Sequence, residues 1–152
     1  MRSVKPKRRK APTVAKLKKQ AWKLLSEVIR REAAEQFGAG DMLLCYTCGI
    51  AGRVNGMQAG HAIGGRTGSV LLDEEIIRPQ CYRCNVALRG NYPVFVTRLI
   101  REKASNSRSA EPEREALDWW EAKLSASSQV REWNRSELEA KIEEYKARLS
   151  RL

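Results

Sequence analysis

The chain has 152 residues, 42% of them apolar and 31% charged, with a formal net charge of +11. That length fits one modest domain with extensions, and the apolar content is too broken for a membrane span. Residues 1 to 31 hold twelve Lys or Arg against one acid, Glu27, while the rest of the chain balances. Such a surplus at one end suits a polyanion, because each neutralised phosphate releases counterions; a solvated tail is the plain alternative.

Residues 1–11, with Lys5, Lys7, Arg8, Arg9 and Lys10, are too charged and too poor in apolar side chains to fold alone. They read as a disordered basic arm. Pro12 and Thr13 suit a helix start, and Val14, Leu17, Ala21, Leu24, Leu25 and Val28 then recur at helical spacing. This predicts an amphipathic basic helix over 12–37, ended by Gly38-Ala39-Gly40. Its apolar stripe covers the core or a second subunit, and Lys16, Lys19 and Lys23 on other faces lie along phosphates. A membrane-surface helix is the competing reading of the pattern.

Residues 41–104 carry the chemistry. Two CxxC pairs, Cys45-Tyr46-Thr47-Cys48 and Cys81-Tyr82-Arg83-Cys84, bracket the single histidine, His61, and use every cysteine in the chain. Two residues between thiolates let each pair chelate one ion from a tight turn, so the four sulfurs make a closed tetrahedral Zn²⁺ site with a structural role. Two disulfides are the alternative, but no signal-like or apolar run precedes the cysteines to support an oxidising compartment, and a redox CxxC needs only one pair. Met42-Leu43-Leu44 leads into the first turn, and Val54-Asn55-Gly56-Met57 carries the two-residue signal of a tight hairpin whose second strand delivers His61. Gly64-Gly65-Arg66-Thr67-Gly68 follows as a loop that a ligand can approach closely. Val70-Leu71-Leu72 reads as buried, Asp73-Glu74-Glu75 as an acidic run, and the second cysteine turn opens a short helix through Arg89.

Beyond it, Gly90-Asn91-Tyr92-Pro93 caps a helix with Phe95, Leu99 and Ile100 on one face, ending near Lys103. Arg66, Arg83, Arg89, Arg98 and Arg101 are candidate phosphate contacts. After a Ser-rich linker, residues 111–152 read as a C-terminal helical region. Pro112 starts one helix with Leu117, Trp120 and Leu124 on a face, and a Ser136/Glu139 capping box starts the last, with Leu138, Ile142, Tyr145, Leu149 and Leu152 in a stripe. Trp119, Trp120 and Trp133 either pack or stack on bases, packing being the default.

The ordered series CxxCG, Ala59-Gly60-His61, Pro79-Gln80-Cys81-x-x-Cys84-Asn85 and Gly90-Asn91-Tyr92 resembles the phage recombination proteins of the lambda Rap or NinG type, over about residues 42 to 103. More broadly it is similar to the HNH or His-Me nucleases, and most to the zinc-stapled, endonuclease VII-like branch. The resemblance implies an α+β fold with a small ββα-metal core, a phage-encoded protein in the bacterial host's cytoplasm, and action on branched DNA. It also implies a divalent metal ligand at Asn85, directly after the last cysteine. The residue reading keeps a helix N-cap open there, since Asn favours that place.

Phosphodiester hydrolysis needs an activated water, charge stabilisation on the phosphate and help for the departing 3′ oxygen. A largely neutral imidazole at His61 suits the base, and Mg²⁺ or Mn²⁺ suits the remaining two tasks. Many relatives carry an acid next to the histidine or a few positions before it, where this chain has Gly60 and Gln58. Gln58, Asp73, Glu74 or Glu75 then completes the metal site. The expected function is a metal-dependent endonuclease on Holliday junctions or related intermediates, acting as a homodimer with the stripes Val14–Val28 and Leu138–Leu152 as interface or as core. A zinc-containing DNA-binding protein that does not cut, and an RNA-binding zinc protein, are the alternatives.

Overall fold

The computed structural model describes residues 11–64 and 68–152. It is a mixed α+β fold of four helices and two small ribbons. Helix α1, Val14–Phe37, starts where the Thr13 side chain accepts from the Lys16 amide and stops where Gly38, at φ 72°, donates back to Ala34 and Glu35. A left-handed cap of this kind favours glycine. Strands β1, Met42–Leu44, and β2, Ala51–Arg53, pair antiparallel around the first cysteine turn, with Leu43 opposite Gly52. Strands β3, Met57–His61, and β4, Ile77–Cys81, form the second ribbon, with His61 opposite Ile77 and Met57 opposite Cys81.

The hairpin expected at Asn55-Gly56 is therefore absent. Those residues lie in a 3₁₀ turn, Val54–Gly56, which passes the chain from one ribbon to the other. The cause is Arg30 of α1, whose guanidinium donates to the carbonyl of Val54 at 2.7 Å and to that of Met57 at 3.4 Å. The chain is drawn around that charge rather than doubling back. Strand β3 pairs instead with β4, some twenty residues on, and His61 still ends its strand.

After β4 comes a wide helical turn, Arg83–Ala87, then α2, Tyr92–Ser105, α3, Pro112–Ser127, and α4, Arg135–Leu149. Leu17, Ala21, Leu25 and Val28 of α1 and Leu138, Ile142 and Tyr145 of α4 are buried in one apolar cluster. The two stripes pack mainly on each other within one chain, as core, with Val14 and Leu152 at their ends left exposed. In α3 the buried residues are Ala116 and Trp120, whereas Leu117 and Leu124 are exposed. The last helix is capped by Asn134 with Glu137, two residues before the expected box. The Trp133 indole donates to the Gly68 carbonyl at 2.7 Å, and this anchor sets where the helix can begin. Trp120 and Trp133 are buried and Trp119 packs against the same cluster, so the tryptophans serve the core. No helix among the described residues is long and apolar enough to cross a membrane.

Candidate metal centre and cleft

The two cysteine turns meet. Gly49, at φ 75°, closes the first by donating to the Cys45 carbonyl at 2.8 Å, and β4 carries Cys81 to its edge. All four sulfurs lie within 4.8 Å of one another, Cys48 and Cys81 at 3.8 Å, and all four are free thiols. A tetrahedron with bonds of about 2.3 Å places sulfurs about 3.8 Å apart, so the cluster fits a structural zinc ion. Thr47 Oγ1 lies 3.3 Å from Cys45 Sγ, and the Asn91 amide donates to Cys84 Sγ at 3.7 Å. Burial pushes the Cys45 thiol up, but the Thr47 hydroxyl and the amides of Cys81, Cys48 and Thr47 outweigh it and hold it at about 6. Burial and the three neighbouring sulfurs push Cys48 up to about 12. Crowded sulfurs ionise together only on a shared cation, and Zn²⁺ is such a cation.

Beside this centre lies an open cleft of about 370 Å³, lined by Ala59, His61, Gly64, Asn85, Val86, Arg89, Gly90 and Tyr92. It brings together His61 from the end of β3 and Asn85 from the turn after the cysteines. His61 is 8% exposed; its ring stacks on Trp22 of α1 at 4.6 Å, and Nε2 lies 3.3 Å from the Leu71 carbonyl. That carbonyl only accepts, so a ring bonded to it donates from Nε2. Asn85 does not cap the turn, because the cap position is Tyr82. Its Nδ2 donates to Gln58 Oε1 at 2.6 Å, which fixes the amide.

Gln58 thus orients Asn85 through its side-chain oxygen. Asp73 and Glu75 pair with Lys123 at 2.8 and 2.5 Å, and Glu74 pairs with Arg148 at 2.7 Å, so the acidic run holds the helical shell together. Among the described residues no Asp or Glu lines the cleft. Asn85 Oδ1 is a hard oxygen of the kind Mg²⁺ accepts, and no carboxylate stands beside it in the lining.

Arg89 lines the cleft from a strained loop: Arg89, Gly90 and Asn91 all have positive φ, at 50°, 96° and 49°. Two non-glycine residues stay left-handed only where their surroundings over-determine them. Here Gln80 Nε2 holds the Gly90 carbonyl at 2.8 Å, and Asn91 is held by Cys84. On α1, Lys16, Lys19 and Lys23 are exposed at spacings of three and four. The same strip continues to Ser26 and Arg30, which line a groove with Trp22 and Asn85 next to the cleft. Arg83 is exposed on the cysteine turn, whereas Arg98 donates to the Tyr46 carbonyl at 2.7 Å. Lys5, Lys7, Arg8, Arg9, Lys10 and Arg66 lie outside the described residues.

Sequence reasoning missed Trp22, Gln80 and Tyr92. Trp22 lies off the buried α1 stripe, a weak signal that it faces something else. No curated protein and no solved structure matches the chain. The family model described as Bacteriophage Lambda NinG protein matches residues 1–152, and the chain belongs to that phage family.

Proposed function

We propose that this chain is a divalent-metal-dependent endonuclease of the HNH or His-Me type, cutting Holliday junctions or related branched DNA during phage recombination in the host cytoplasm. The observation that carries the reading is that His61 and Asn85 line one cleft against a strained arginine loop. The Leu71 carbonyl and the Trp22 ring hold the imidazole so that Nδ1 can take a proton from water. Arg89 meets the phosphate as a charged, forked donor. A Mg²⁺ or Mn²⁺ held at Asn85 would supply charge stabilisation on the phosphate and at the departing 3′ oxygen. The exposed lysines of α1 lead a DNA backbone toward the groove beside Asn85, a contact that positions without reading sequence.

Paired cuts on a two-fold junction call for two copies of the chain. Since the α1 and α4 stripes pack mainly on each other as core, the copies of such a homodimer meet on another surface or on the DNA itself. The second reading is a zinc-containing protein that recognises branched DNA without cutting, and the carboxylate-free cleft favours it. Mg²⁺-dependent cleavage of a four-way junction by the zinc-loaded chain decides between them. His61→Ala should lower the rate by about 10²- to 10⁴-fold with junction affinity and zinc content kept. Tight junction binding with no cleavage by the wild type establishes the second reading instead.

A further inference from the structure

The stretch from Ile76 to Arg101 holds five arginines and no Asp or Glu. Arg78 is tied to Glu102 and Arg98 to the Tyr46 carbonyl. Arg83 and Arg89 are exposed, and no hydrogen bond or ion pair engages either side chain among the described residues. Between these two charges Val86 and Leu88 stand 44% and 46% exposed, with exposed Ala87 between them and exposed Tyr82 just before. Contiguous apolar exposure rimmed by charge marks a contact surface, where single exposed residues mean nothing.

This exposure is held in place by the backbone. The amides of Leu88, Arg89, Gly90 and Asn91 donate to the carbonyls of Arg83, Val86, Cys84 and Leu88 at 2.8 to 3.0 Å, so the wide turn and the loop after it are braced from within. Beneath them, buried Gln80 donates to the Gly90 carbonyl and Asn91 donates to Cys84 Sγ, which ties the loop to the cysteine centre. Two short apolar side chains on a fixed backbone lose little conformational freedom when a partner covers them.

Size and charge decide what that partner is. A stable protein interface covers about 800 Å² with roughly 20–30 residues a side, and its core is depleted of charge. The run from Arg83 to Arg89 is far smaller and has an arginine at each end. It calls for closely spaced negative charges with a flat apolar gap between them, which is what two bases stepping apart between their phosphates present. Opening that gap costs least where the stack is already interrupted. Val86 lines both the cleft and the groove beside it, so a step opened there lies next to His61 and Asn85.

We propose that Val86 and Leu88 form a wedge that enters the interrupted base stack at a DNA branch point, with Arg83 and Arg89 on the flanking phosphates. The inference rests on the branched-DNA reading and names the element that tells a branch from a continuous duplex. Apolar burial at the branch carries the selectivity, and the arginines carry an affinity that branch and duplex share.

The test uses the zinc-loaded full chain and a four-way junction with linkages that resist cutting, carrying 2-aminopurine either at the branch or in the middle of an arm. Affinities for that junction and for a linear duplex are measured in parallel. The wild type should prefer the junction, raise the emission of the probe at the branch, and leave the probe in the arm unchanged. Val86→Ser combined with Leu88→Ser should abolish the rise and weaken junction binding on the order of 10- to 100-fold, with duplex binding unchanged. Leu88→Met should keep both the rise and the preference. Arg83→Gln combined with Arg89→Gln should weaken junction and duplex alike. A wild type that prefers the junction without raising the emission overturns the wedge and leaves the branched-DNA reading standing. So does a double serine variant that holds its zinc and keeps the preference. If that variant only breaks a dimer seen by light scattering, the apolar run meets a second copy and the proposal fails. Equal binding of junction and duplex by the wild type overturns both proposal and reading. If the double serine variant loses its zinc, the wild-type emission at the branch decides.

Discussion

The cysteine end and the helical shell of this protein are held together by different physics. Around the cysteines the buried apolar cluster among the described residues is Ala34, Leu43, Cys45, Val54, Met57 and Cys84, and the two ribbons have strands of three and five residues, the second also giving Ala59 and Ile77 to the shell. Two-stranded ribbons of that size are marginal in water. The shell instead buries Leu17, Leu25, Phe95, Leu99, Leu138 and Tyr145 in one continuous cluster from α1 to α4. The cleft with His61 and Asn85 lies at the cysteine end. The candidate chemistry therefore sits where the cysteine turns meet the shell, His61 on a strand whose Ala59 packs into the shell cluster and Asn85 one residue from Cys84, where an ion stapling the cysteines would hold it in place.

Chelation is the strongest way to separate the two regions. Removing a tetrathiolate zinc withdraws binding free energy on the order of 10 kcal/mol, which in such sites is folding free energy. Amide hydrogen exchange should then lose its protection over residues 42–61 and 77–90 and keep it in α1 and α4. Equal loss in both regions would show a single cooperative unit and end the comparison. Leu25→Ala tests the other side. Leu25 is fully buried, and its truncation should cost about 3 kcal/mol with zinc stoichiometry unchanged. Thermal melting should fall by roughly 6–12 °C, and a fall in bound zinc would show that the shell supports the cysteines as well.

The same division explains what was legible in the sequence. Helix α1 could be read because Thr13, the apolar stripe and Gly38 are all local signals. The cysteine quartet stood out for a similar reason, as one residue type at fixed spacing, and His61 as the single histidine between the pairs, whereas Asn85 was marked by the resemblance to the phage family. The hairpin failed because Asn55-Gly56 fits two kinds of turn, and the choice is made by Arg30, which lies 24 residues before Val54 and bonds its carbonyl. In α3 both Leu117 and Ala116 share a possible face with Trp120, and packing buried the smaller residue. Two capping boxes overlapped at residues 134–139, and the anchored Trp133 selected the first. Gln80 and Trp22 could not be found as site residues, because what they touch is brought to them only by the completed fold.

The seam between the two regions gives the smallest of the expected effects and a pH signature. Glu102 of α2 accepts from the Tyr46 hydroxyl at 2.7 Å and from Arg78 Nη2 at 2.6 Å, joining the first cysteine turn and β4 to the shell. Burial pushes the Glu102 carboxyl up, but Arg78 and Tyr46 outweigh it and hold it below the usual carboxylate range. A depressed carboxylate contributes stability that is fully present above its unfolded value, about 4.3, and is lost as pH falls through the lower folded value. The side chain is 38% exposed, so solvent screens the pair, and Glu102→Gln should cost about 1 kcal/mol at neutral pH. That corresponds to a fall in melting temperature of about 2–4 °C. The gap between wild type and variant should be constant from neutral pH down to about 5 and then narrow as the wild-type carboxylate is protonated. A gap that stays the same at pH 3 would mean that Glu102 acts through shape rather than charge, and that the seam between zinc end and shell is held by packing.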